Sequence, residues 1–139
     1  MYFAKTLVSL PTTVAVAVLL SSTSSAEEKI STFRGYLLDK QCGDSVKEDS
    51  DPEDFIKHHT KDCALMPNCR RKGYSLFAKP DWYDLDKHGN KLAVKLLQNS
   101  KRRSAFFVQV KGSSSDGLLK VKSIEEVESP ATQENAETK

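Results

Sequence analysis

The run Trp82-Tyr-Asp-Leu-Asp-Lys-His-Gly-Asn-Lys-Leu-Ala-Val-Lys-Leu-Leu-Gln-Asn-Ser-Lys-Arg-Arg-Ser-Ala-Phe-Phe-Val-Gln-Val-Lys111 changes its hydrophobic period twice, and those changes decide the fold. Tyr83 and Leu85 alternate with Trp82, Asp84 and Asp86, the period of a half-buried strand. His88-Gly89-Asn90 closes that strand, and Asn90 reads as the cap of a helix over Lys91 to Gln98. Ala93, Leu96 and Leu97 then fall at i, i+3 and i+4, one apolar face of that helix. Period two returns from Ser104 to Lys111, with Phe106, Val108 and Val110 on one side.

Working outward, Gly73 to Ala78 is a strand separated from the Trp82 strand by the turn tripeptide Lys79-Pro80-Asp81. Ser31 to Asp39 is the first strand, and Gly35 in its middle suggests a bulge or bend. Gly112 to Gly117 reads as a flexible connection, after which Leu119, Val121, Ile124 and Val127 mark a last strand from Leu118 to Val127. Between the first two strands, Gly43 to Asp54 has almost nothing to bury and reads as a solvated loop. Asp51-Pro52 starts a short helix to about His59 that carries Phe55 and Ile56 inward. His59 to Arg71 reads as a tight, irregular loop. The expected fold is therefore mainly β: a five-stranded OB-like barrel with one helix between strands 3 and 4 and a cysteine-bearing insertion after strand 1. An open α+β sandwich shares the same element string.

Residues 1–26 differ from the rest, with one cation at Lys5, an apolar run from Val14 to Leu20, and Ser24 and Ala26 placed as small residues before a cut. This is the pattern of a cleavable secretory signal, with cleavage near Ala26. The apolar run is shorter than the roughly 20 residues of a membrane span, so no stable anchor is expected after cleavage. The expectation is an exported product, periplasmic or secreted, made of one domain at 27–127 and a disordered tail at 128–139, where Ser, Pro, Thr, Gln, Asn and Glu dominate. Taking 26 residues and the single cation Lys5 from a 139-residue chain of formal charge +2 leaves 113 residues and +1. That balance gives no electrostatic reason to expect nucleic acid as a partner.

Cys42, Cys63 and Cys69 carry the chemistry, with His59 four residues before Cys63. In an oxidising compartment an odd count predicts one disulfide and a spare thiol. Cys42 bridged to Cys63 or to Cys69 closes a longer loop than Cys63 to Cys69, and is preferred. The alternative is a metal site: Cys42, His59, Cys63 and Cys69 suit zinc or cuprous copper, although no Cys-x2-Cys knuckle is present. A thiol-redox protein is the second alternative, and it lacks the Cys-x-x-Cys pair at a helix start. No serine sits in a nucleophile elbow, and the acids from Asp44 to Asp54 lack the ligand alternation of a calcium loop.

At Gly35-Tyr-Leu-Leu-Asp-Lys-Gln-Cys42, His59-Thr-Lys-Asp-Cys-Ala-Leu-Met-Pro-Asn-Cys69, Gly73-Tyr74 and Asp86-Lys-His-Gly-Asn90 the chain resembles a group of small exported bacterial proteins without an assigned activity. The resemblance spans nearly all of residues 33–127 and implies an OB-like exported domain with a cysteine-rich insertion. It implies no reaction. Arg70-Arg71-Lys72 departs from the small residues usual at that point and makes the loop basic.

Trp82 and Tyr74, with Arg70 and Arg71 nearby, form the expected ligand face, suited to a glycan or an anionic ligand by analogy with OB barrels. The sequence thus predicts a small binding or structural module rather than an enzyme, its insertion held by a disulfide, with copper or zinc binding as the alternative and no other cofactor.

Overall fold

Strand β1 (Ser31–Asp39) is shared between two neighbours: antiparallel to β4 (Phe107–Ser115) over Ser31 to Tyr36, and antiparallel to β2 (Tyr74–Ala78) over Tyr36 to Asp39. β2 continues into β3 (Asp81–Leu85), and β4 into β5 (Leu118–Glu126), both as antiparallel pairs. The parallel rungs Asp84↔Leu118 and Leu85↔Leu119 join β3 to β5 and close the barrel in the order β1-β2-β3-β5-β4. This computed structural model describes residues 28–130, so the expected signal segment 1–26 and residues 131–139 of the expected tail lie outside the described residues. Glu128 pairs with Arg102 at 3.1 Å and Ser129 is buried, so the first tail residues pack on the barrel. Among the described residues no helix is long and apolar enough to cross a membrane. The fold is the mainly β, five-stranded OB-like barrel that the periodicity predicts.

Helix α5 (Lys87–Asn99) joins β3 to β4, with Ala93 and Leu97 buried on the barrel. Its cap is Asp86, not Asn90. The Asp86 carboxylate accepts from Gly89 N at 2.7 Å and from Val121 N at 3.3 Å, tying the helix start to β5. Asn90 lies inside the helix, where its Oδ1 accepts from Tyr74 N at 2.8 Å and its Nδ2 donates to Leu85 O at 3.2 Å. Gly112 to Ser115 is strand rather than flexible connection, and the turn contracts to Asp116-Gly117, both at positive φ. Asp-Gly is a strong hairpin signal, and the serines before it obscured the pairing.

Alternation along the strands builds two cores. Leu37, Tyr74, Leu76, Val108, Val110, Leu119 and Val121 fill the barrel interior with Phe106 and the α5 face. The opposite parity, Tyr36, Leu38, Phe77 and Phe107, points outward and is covered by the insertion. The insertion holds the expected short helix, α2 (Pro52–His58), and is also helical where loops were expected: α1 (Lys40–Val46), α3 (Lys61–Ala64) and α4 (Pro67–Lys72). Val46 and Ile56 supply its buried face, while Phe55, expected inside, is 40% exposed.

Polar contacts fasten α1 to β3. Lys40 Nζ donates to Asp84 Oδ2, Ser75 Oγ donates to Asp84 Oδ1 at 2.8 Å, and Lys47 Nζ lies 3.8 Å from the same oxygen. Burial alone would raise the Asp84 carboxyl, but the Lys40 ammonium, the Ser75 hydroxyl and Lys47 outweigh it and hold it below the usual aspartate range. A carboxyl whose folded pKa is depressed adds stability above its unfolded value, about pH 4, and loses it as pH falls through the folded value. Asp84→Asn is therefore expected to melt below the parent at pH 7, with the two melting temperatures converging in acid. A gap that stays constant down to pH 2 would contradict this.

Candidate metal centre

Two side-chain caps and a helix-opening proline bring the sulfurs together. Asp39, the last residue of β1, caps α1 by accepting from Cys42 N at 3.1 Å. Thr60 caps α3, its hydroxyl accepting from Cys63 N at 3.3 Å. Pro67 opens α4, whose third residue is Cys69 and whose end turns at Gly73 with φ +93. Each cysteine is thus the third residue of a short helix. His59 follows the end of α2 in extended conformation, its N–H bonded to the carbonyls of Phe55 and Ile56. The Tyr74 hydroxyl donates to Ala64 O at 2.9 Å and anchors α3 to β2.

Asp39, Cys42, His59 and Cys63 each direct one ligand atom into a common space, all within 4.8 Å of one another. Cys69 is not one of the four, but it lies at their edge, close enough to Asp39 and Cys63 for both to act on its thiol. Three of the four donors expected from sequence are in the set, and the fourth touches it. Asp39 is the member that sequence reasoning missed. Its signal was the pattern cap-x-x-Cys, present in Asp39-Lys-Gln-Cys42 and again in Thr60-Lys-Asp-Cys63.

The centre is dry. The side chains of His59 and Asp39 are 4% and 0% exposed, and Nε2 lies 2.8 Å from Oδ2. The approach is close enough for an ion pair, yet it is not aligned as a hydrogen bond, and neither atom has another partner. Buried polar atoms left in this state are costly, and such exceptions in native proteins trace to strain, a functional role, or an ordered water or ion. Burial first, and then the Asp39 charge and Cys63, push the Cys42 thiol up to about 12. Burial and Asp39 push Cys69 up to about 11. Burial also acts to raise Asp39, but His59, the Cys42 N–H and the Cys69 thiol outweigh it and keep the carboxyl below its usual range. Such thiols are protonated near neutral pH, the reverse of an activated redox cysteine.

No two cysteines are bonded here: Cys42, Cys63 and Cys69 are all free. The expected ligand face does not assemble. Tyr74 is 1% exposed in the core, so it presents nothing to a ligand. Trp82 lies on the outer face of β3, 4.7 Å from Phe77, roofed by Gly43 of α1 and with Lys47 Nζ 5.8 Å from its ring. Arg70 and Arg71 line a separate groove against α5. An insertion that buries the outer sheet face also covers its aromatics, which the strand pattern alone did not reveal.

Compared with protein-family profiles, curated proteins and solved structures, the chain matches none.

Replacing Asp39 with alanine removes a helix cap and orphans His59, and should cost about 2–4 kcal/mol in urea denaturation of the reduced protein. Asp39→Asn keeps the cap and should lose less. Equal losses from both variants would show that the cap contributes nothing.

Proposed function

We propose that this protein is an exported module that binds a single zinc or cuprous ion, with Cys42, His59 and Cys63 as ligands and Asp39 or Cys69 completing the set. The observation that carries this reading is the convergence of four donor atoms within 4.8 Å, two of them on buried and two on partly buried residues. A nitrogen and two sulfurs are the donors that zinc and cuprous copper prefer. A bound cation also reverses the local electrostatics, drawing protons from thiols that are otherwise held protonated. Export follows from the pattern of residues 1–26, and the role is binding rather than turnover.

A disulfide is the second reading, because the Cys42 and Cys63 sulfurs lie within 4.8 Å of each other in the same donor set, near enough for an oxidant to join them after a small movement. One pair of measurements separates the two. The full chain, reduced and titrated with cobalt(II) as a spectroscopic stand-in for zinc, should develop thiolate-to-metal charge-transfer absorption that saturates at one equivalent. Thiol counting without reductant should find all three sulfhydryls in the metal-free protein kept anaerobic. Absorption that never saturates, with a single titratable thiol, would replace the metal reading with the disulfide.

A further inference from the structure

A second site lies on the outward side of α4. Arg70 and Arg71 at the end of α4 face Lys87 and Lys91 in the first turns of α5 across a groove of about 740 Å³, with Pro67 and Val94 as its apolar walls. All four cations are exposed, and no carboxylate lines the groove. Among the described residues none of the four takes part in an ion pair, and although other surface cations are unpaired too, these four line one groove. Arg71 donates only to the neutral Asn68.

This arrangement opposes the local preferences of α5. Lys87 and Lys91 are like charges four apart, and a cation in the first helical turn opposes the macrodipole. The one acid at that helix start is the Asp86 cap, whose carboxylate is occupied by Gly89 N and Val121 N rather than paired with either lysine. The chain is nearly neutral as a whole, so the concentration of four unpaired cations in one groove is a local property rather than a consequence of bulk charge. A multiply charged oxyanion ligand removes the repulsion. Arginine forks match tetrahedral oxyanions in bidentate fashion, the lysines add point charge, and the volume suits a small organic ligand.

We propose that the groove between α4 and α5 binds a small ligand carrying at least two phosphate or sulfate ester charges, through Arg70, Arg71, Lys87 and Lys91. The proposal is independent of the metal centre.

The test is calorimetric titration of the full chain, without added metal, against two probes at moderate salt: inorganic pyrophosphate and a multiply sulfated disaccharide. Saturable binding of either supports the site, and the tighter probe shows whether phosphate or sulfate is the preferred oxyanion. The charge reversals Arg70→Glu and Lys91→Glu should each weaken that probe by about 10-fold or more, while Lys111→Glu, on β4 and outside the groove, should leave it within about 2-fold. Circular dichroism of each variant confirms that the fold is retained. Failure of both probes to bind below millimolar concentration would overturn the proposal, as would equal weakening by Lys111→Glu, which would mean diffuse charge attraction.

Discussion

A chain carrying Cys63→Ser should bind zinc or cobalt(II) at least roughly 100-fold more weakly than the parent, measured by competition with a chelator. A serine hydroxyl neither ionises near neutral pH nor offers the soft donor that these ions select. Cys63 is the sulfur with most to lose, since it lies within the four-donor set and also contacts Cys69. His59→Ala should fall into the same range. Cys69→Ser makes the informative contrast: if Cys69 only supports its neighbours, the loss should stay within about 10- to 100-fold, as for partners just outside a metal's ligands. Undiminished affinity in the Cys63 variant would move the site elsewhere. The loss of one-to-one stoichiometry in the Cys69 variant would promote that residue to a ligand.

The largest stability effect is expected at Gly35, and its cause is backbone rather than chemistry. A Cβ built there would lie 2.1 Å from the carbonyl oxygen of Phe77, 2.7 Å from its carbon and 2.9 Å from the Cα of Ala78. None of these atoms is the end of a flexible side chain, so β1 and β2 have to separate next to the point where β1 changes partner. Gly35→Ala should therefore cost roughly 3 kcal/mol or more, the upper end of overpacking penalties, and lower the melting temperature by about 12 °C or more. A variant that melts within a few degrees of the parent would show that the closure tolerates a methyl group.

Gly35 also marks the boundary of what the sequence made legible. A glycine inside a strand signals either a bulge or a close backbone approach. The approach is the real cause, and it becomes visible only once Phe77 is folded against β1, since the β1 pairings on both sides run without a break in register. The strands themselves were readable because period two survives in short segments, and Ala93 and Leu97 revealed α5 through its longer repeat. The insertion was not readable for a matching reason. α1, α3 and α4 have 7, 4 and 6 residues, too few for a helical period to repeat, and caps and tertiary packing make them. Convergence of Cys42, His59 and Cys63 was legible from residue type alone. Asp39 was not, because an acid at the end of a strand looks like ordinary punctuation until it is buried. Tyr74 was misread because its alternation with Phe77 sends the two rings to opposite sides of the sheet.

Tyr36, Leu38, Phe77 and Phe107 pack with Val46 of α1, the helix that presents Cys42, and with Ile56 of α2, which leads through His59 to Cys63, for their shelter from water. The insertion therefore cannot peel away as an independent foldon without wetting one whole side of the sheet, so it and the barrel should open cooperatively. Any occupant that grips the two thiols is thermodynamically linked to the entire domain, adding about 2.7 kcal/mol at a hundredfold excess over its Kd. Amide exchange in β4, which contributes no residue to the donor set, would then report whether the thiol cluster is filled.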